Sequence, residues 1–196
     1  MRITAVLLAA GRASRMGNNK LFLPYKNHSI IEEVLHQLSR SSVENVLVVT
    51  GFERERIEDL VAGINDRKLS VICNEKYESG RIESIKCAIV HLRGRPDGAL
   101  FMVADKPTVS ADLIDRSIEE FKKKKPGILY VMTPAGRGHP IIFSRDLFEE
   151  MMSLAGENVI EEFINKHQNE VVELEDEAIQ VNINTPEDYE RFQKSL

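Results

Sequence analysis

Apolar residues along this chain follow two alternating patterns. Short, uniformly apolar runs occur at Ala5–Leu8, Val46–Val49, Leu69–Ile72 and Ala99–Val103. They are too short and too continuous for amphipathic helices, and predict strands buried on both faces. Between them, apolar residues recur at helical spacing: Ile30, Ile31, Val34, Leu35 and Leu38, then Ile57, Leu60 and Val61, then Ile82, Ile85, Ala88, Ile89 and Leu92. Strand and helix taking turns implies right-handed βαβ crossovers and an open, doubly wound α/β fold with a mostly parallel sheet. Ligands bind such sheets beyond the carboxyl ends of the strands.

After the fourth run the alternation loosens. The pattern predicts a helix over Ala111–Lys124, a strand at Ile128–Met132, an extended piece at Pro140–Phe143, and helices at Leu147–Leu154 and Val159–His167. Short strands near Val171 and Ile179 follow. A last helix starts at Thr185-Pro186-Glu187, with Thr as N-cap and Pro in the first turn. Part of this second half is expected to wall the substrate side of the site. Repeats, low-complexity tracts and Pro/Gly/Ser linkers are absent, so residues 1–196 read as one domain.

Composition narrows the functional classes. The 196 residues are 42% hydrophobic and 29% charged, the balance of a chain that buries a real core. A net charge of −5 without a basic face argues against a nucleic-acid partner. The one dense basic run, Lys122–Lys125, precedes Pro126-Gly127 and reads as a solvated helix end favoured by the helix dipole. Cys73 and Cys87 lack metal-ligand spacing and read as reduced cytosolic thiols. The apolar start ends in Gly and Arg, as a buried strand does and a signal peptide does not, and no stretch approaches membrane-spanning length. The expectation is a cytoplasmic protein that does not engage a membrane, with monomer as the default.

Candidate chemistry gathers at strand ends. The loop Leu8-Ala9-Ala10-Gly11-Arg12-Ala13-Ser14-Arg15-Met16-Gly17-Asn18-Asn19-Lys20 follows the first strand. Its small residues let backbone N–H groups approach a phosphate, while Arg15 can fork across phosphate oxygens and Lys20 supplies a point charge. It is neither a Walker A loop nor a G-x-G-x-x-G fingerprint. Asp105, at the end of Phe101-Met102-Val103-Ala104-Asp105-Lys106-Pro107, projects into the same crevice, where it can hold Mg²⁺ against phosphates. Asn182 and Asn184 share one side of a strand and can complete that shell. Asn74 to Ser84 forms another strand-to-helix loop, and Gly136-Arg137-Gly138-His139-Pro140 a glycine-rich turn whose His139 can bond a polar substrate. The plainer alternatives are an ordinary βα turn, a capping Asp105, a helix cap at Asn184-Thr185 and a structural His139.

Together these residues resemble the molybdenum cofactor nucleotidyltransferases. The resemblance runs from Leu8-Ala9-Ala10-Gly11 with Ser14-Arg15-Met16-Gly17 and Lys20, through Asn74, Tyr77, Gly80 and Ser84, then Asp105 and Pro107, then Gly138-His139-Pro140, to Asn182-Ile183-Asn184-Thr185-Pro186-Glu187-Asp188. It covers nearly the whole chain. It implies a three-layer, Rossmann-like α/β fold of the nucleotide-diphospho-sugar transferase type. It also implies transfer of a nucleotide to the terminal phosphate of a pterin-type molybdenum cofactor, with pyrophosphate leaving. In that reading Leu8, Ala9, Ala10, Gly11 and Ser14 cradle the phosphates, and Arg15 and Lys20 stabilise the leaving group. Asp105 holds Mg²⁺ with Asn184, Asn74, Gly80 and Ser84 line the nucleotide side, and His139 the acceptor side.

Leu-Ala-Ala-Gly, Tyr-x-x-Gly and Gly-His-Pro resemble the cytidylyltransferase branch and favour CTP. Asn182-x-Asn184 resembles the guanylyltransferase branch, which uses GTP. Ala104-Asp105-Lys106-Pro107 departs from the family's Gly-Asp-x-Pro, and Lys106 adds a cation that either meets pyrophosphate or faces solvent. A sugar- or alcohol-phosphate nucleotidyltransferase and a non-catalytic cofactor carrier are the other readings. A molybdoenzyme or its maturation factor would receive the product.

Overall fold

The computed structural model describes residues 1–12, 19–92, 96–156, 158–176, 183 and 185–194. β1 (Ile3–Leu8) is followed by a small hairpin of β2 (Pro24–Tyr25) and β3 (His28–Ser29), then α1 (Ile30–Arg40), β4 (Asn45–Thr50), α2 (Arg54–Ile64) and β5 (Leu69–Cys73). α3 (Arg81–Leu92), β6 (Gly98–Val103), α4 (Ala111–Lys124), β7 (Ile128–Thr133) and β8 (Gly136–Ser144) come next. The chain closes with α5 (Phe148–Ser153), α6 (Val159–Lys166), β9 (Val171–Glu175) and α7 (Pro186–Gln193).

The main sheet has seven strands in the order β5-β4-β1-β6-β8-β7-β9. Every pairing is parallel except those of β8, which runs antiparallel to β6 and β7. α1, α2 and α4 bury Leu35, Leu38, Ile57, Ile114 and Phe121 against one face. α3, α5 and α6 bury Ile85, Ile89, Phe148, Met151 and Phe163 against the other. The expected three-layer α/β architecture is therefore present, and both faces of the central strands are apolar because both are covered.

The connections decide where a ligand can sit. From β1 the chain moves outward through β4 to β5, then α3 crosses the opposite face and returns to β6 on the other side of β1. The strand order thus reverses between β1 and β6, and their carboxyl ends lie side by side with Leu8 opposite Val103. Such a switch point leaves a crevice between diverging loops.

Several elements depart from the sequence reading. β5 is an edge strand whose residues are half-buried or exposed, not covered on both faces. Gly136–Pro140 is not a turn but the first half of β8. Tyr130 pairs with Ile141 and Val131 with Gly138, so His139 and Pro140 bulge out of the ladder. The β2–β3 hairpin was not anticipated; it packs with α7 through Tyr25, Ile30, Ile183 and Phe192. The strand expected near Ile179 lies outside the described residues.

Other expectations agree with the structure. Thr185 caps α7 in a capping box with Asp188, and Pro186 opens the helix. Lys122, Lys123 and Lys124 end α4 exposed to solvent. Both cysteines are free, and burial pushes the Cys87 thiol upward.

Candidate functional site

A cleft of about 340 Å³ opens at the switch point, lined by the ends of β1 and β6, the start of the loop after β1, and the Tyr77–Ser84 segment. Backbone pairing continues past the strand ends and fixes its walls. Ala9 N–H donates to the Val49 carbonyl at 2.9 Å, Ala104 N–H to Leu8 at 3.1 Å and Phe52 N–H to Ala10 at 3.2 Å. Ala9 and Ala10 are buried, and beyond them no atom of the described residues stands within 4 Å of where a Gly11 Cβ would be. Among the described residues, no side chain covers this backbone on the ligand side.

The floor is charged. Lys20 Nζ contacts Asp105 Oδ2 and also donates to the Ile183 carbonyl at 2.7 Å. Two residues 85 positions apart are thus brought together by the pairing of β1 with β6. Asp105 Oδ1 is buried, with no hydrogen-bond partner among the described residues. No cluster of three or more metal-ligating side chains exists among the described residues. One strand-end carboxylate with an open oxygen suits a divalent cation whose other ligands are substrate phosphates and water.

The nucleotide-side candidates divide. Gly80 and Ser84 line the cleft where α3 begins, and Gly80 has φ +107°, a conformation that favours glycine. Asn74 is buried behind them: its amide donates to Ser84 Oγ at 3.0 Å and its oxygen accepts from Lys76 N–H at 2.9 Å. It positions Ser84 and does not face the cleft. Tyr77, Glu78 and Arg12 form the mouth, where Arg12 pairs with Glu78 at 3.1 Å.

His139 is half-buried in the β8 bulge, with Nδ1 3.3 Å from the Phe101 carbonyl, and does not line the cleft. Burial, aided by the positive charge of Lys106 and Arg81, pushes its pKa down to about 4, so the ring is neutral at physiological pH. Lys106 is not solvent-facing: it is 8% exposed, and burial lowers its pKa, opposed by Asp105 and reinforced by Lys20 and Arg81. The second half of the chain contributes no wall to the cleft among the described residues, apart from the Ile183 carbonyl on Lys20. Ser14, Arg15, Asn182 and Asn184 lie outside the described residues.

The sequence reading did not single out Arg12, Asn19, Glu78 or Arg81, which line the cleft, and it placed Tyr77 in the Tyr-x-x-Gly motif without giving it a role. Of those four, Asn19 carried a signal, a polar side chain immediately before the candidate Lys20.

A family model described as "MobA-like NTP transferase domain" matches residues 5–171. The molybdenum cofactor cytidylyltransferase of Escherichia coli (strain K12) is 24% identical over 95% of this chain and 93% of its own length. The purine catabolism protein PucB of Bacillus subtilis (strain 168) is 28% identical over 99% of this chain and 97% of its own. Among solved structures, Rv0371c of Mycobacterium tuberculosis H37Rv superposes with a TM-score of 0.86 at 25% identity, over 98% of both chains. That protein has also been solved in complex with manganese, with a TM-score of 0.82 at 23% identity over 100% of both chains. The fold is that of the nucleotide-diphospho-sugar transferases.

Proposed function

The chain belongs to the MobA-like NTP transferase family, and on that premise we propose that it transfers CMP from CTP to the terminal phosphate of a molybdenum cofactor. Nucleotidyl transfer is the family's reaction class; the nucleotide and the acceptor are the proposal. A terminal phosphate oxygen attacks the α-phosphorus in line, the α–β bridging bond breaks, and pyrophosphate leaves with the electron pair.

The observation that carries the reading is the Lys20–Asp105 pair on the floor of a cleft built at the β1/β6 switch point. Lys20 holds a fixed positive charge where negative charge collects on the leaving group. Gly11 and the flanking backbone leave room for phosphates to approach. Gly80 and Ser84 bound the nucleotide side, with Asn74 holding the Ser84 hydroxyl in place. Arg15 would supply a second cation to the pyrophosphate. His139, uncharged in its bulge and outside the lining of the cleft, would serve the acceptor side as a neutral hydrogen-bonding group beyond it.

Asp105 Oδ1, together with Asn184, would hold a divalent cation, Mg²⁺ in this proposal; the manganese bound by the mycobacterial relative favours a divalent ion. When bound, that ion supplies charge neutralisation on the phosphates. The cytidylyltransferase relative and the Leu8-Ala9-Ala10-Gly11 loop favour CTP.

The test is pyrophosphate release with Mg²⁺ and molybdenum cofactor, comparing CTP, GTP, ATP and UTP in parallel. Preference for CTP is the expected result. Preference for GTP would transfer the assignment to the guanylyltransferase branch, and no release with a folded protein and intact acceptor would overturn it.

A further inference from the structure

Asn19 stands at the start of the short 3-10 turn Lys20–Phe22, 8% exposed and in the wall of the cleft. Its side-chain oxygen caps that turn by accepting from Leu21 N–H at 3.2 Å. A cap needs only this acceptor, which Asp or Ser would supply equally well. Asn19 also carries an amide, and its Nδ2 is buried with no hydrogen-bond partner among the described residues. A buried donor left without an acceptor is costly, and such groups in native proteins call for an explanation.

The same cleft holds the complementary group, Asp105 Oδ1, a buried acceptor with no donor among the described residues. The two do not satisfy each other. Both adjoin Lys20, Asn19 in sequence and Asp105 through the ion pair. A ligand that answers both presents a donor or cation to the carboxylate and an acceptor oxygen to the amide. A divalent cation carrying a polyphosphate has that pairing.

We propose that Asn19 is a binding residue for the metal-bound polyphosphate, its amide donating to a non-bridging phosphate oxygen while its carbonyl oxygen keeps the Lys20 turn in place. This rests on the nucleotidyltransferase reading and adds a contact to it. The residue thus performs two tasks through its two side-chain atoms: Oδ1 orients the backbone that presents Lys20, and Nδ2 meets the ligand that Lys20 attracts. A carboxylate at this position would preserve the first and reverse the second.

The probe is inorganic pyrophosphate with Mg²⁺, titrated calorimetrically into the full chain carrying Asn19→Ser or Asn19→Asp. Each replacement retains a capping acceptor and removes the amide. Both should weaken binding about tenfold or more, Asn19→Asp the further because it adds a negative charge, as for loss of a hydrogen bond to a charged group. Both should keep a melting temperature within a few degrees of the wild type. Wild-type affinity in both variants would overturn the proposal. So would weakening that follows a collapse of the thermal transition, which would assign the amide to the turn alone. If wild-type protein releases pyrophosphate in the nucleotide panel while the variants bind as it does, this inference fails and the reaction assignment survives. If wild-type protein binds no Mg²⁺-pyrophosphate, the reaction assignment fails first.

Discussion

Lys20 and Asp105 are the residues on which the proposed chemistry turns. With side chains 15% and 22% exposed, they sit at the floor of an open cleft, outside the packed layers. Replacing either by Ala should lower kcat by about 10²-fold or more, the scale for charges aimed at a transition state. Circular dichroism should remain unchanged, and near-normal turnover in either variant would sink the assignment. His139 allows a prediction about stability. Its folded pKa of about 4 lies below the ordinary 6.5, so between those values the unfolded chain binds the extra proton. The contribution is fully present above pH 6.5 and is lost as pH falls towards 4. Urea midpoints measured across that window should fall less steeply for His139→Asn than for the wild type. His167 has the opposite sign. Burial lowers its pKa, but hydrogen bonds to Glu170 and Glu150 outweigh that and leave it raised, so its contribution fades as pH rises through the folded value.

Among elements, the junction of β4 with the Tyr77 turn shows how closely the cleft wall is packed. A Cβ on Gly51 would lie 2.5 Å from Tyr77 Cβ, 2.6 Å from Tyr77 Cγ and 3.0 Å from Ala10 Cβ. Glycine is required here for space, since Tyr77 must pack over bare backbone to face the cleft. Gly51→Ala should push Tyr77 and the Gly80 corner outward, raising KM for the nucleotide severalfold. The overpacking should cost about 1–3 kcal/mol in urea unfolding. An unchanged KM would show that this wall plays no part in nucleotide binding. The same scale explains the His139 bulge. β8 runs antiparallel between β6 and β7, and its two extra residues against β7 leave the histidine out of the ladder and turned to the Phe101 carbonyl.

For the whole molecule, the sheet order makes folding and binding one problem. The site exists only where β1 and β6, 90 or more residues apart, lie adjacent in register. A ligand that bridges their ends stabilises the folded state over an unfolded chain that has no site. At a hundredfold excess over Kd, Mg²⁺-nucleotide should add about 2.7 kcal/mol, raising the melting temperature by roughly 5–10 °C for a domain of this size. Asp105→Ala should abolish most of that rise, which differential scanning calorimetry would measure. No helix among the described residues is long and apolar enough to cross a membrane.

The alternation of apolar runs with helical spacing determined the layers, because strands covered on both faces and helices covered on one leave different periodicities. The boundaries of α4 and the cap of α7 were legible for a similar local reason: a cap is written in adjacent residues. The loop after β1 and the strand-end Asp105 were legible as candidates, since both follow apolar runs. Three-dimensional pairing decided the rest. It alone brought Lys20 onto Asp105, placed Asn74 behind Ser84, buried Lys106, and left Asn19 Nδ2 and Asp105 Oδ1 in one cleft without a hydrogen-bond partner among the described residues. The antiparallel β8 and the edge position of β5 were decided in the same way, since neighbours in a sheet are chosen by long-range packing and a chain's local pattern does not record which strand lies beside which.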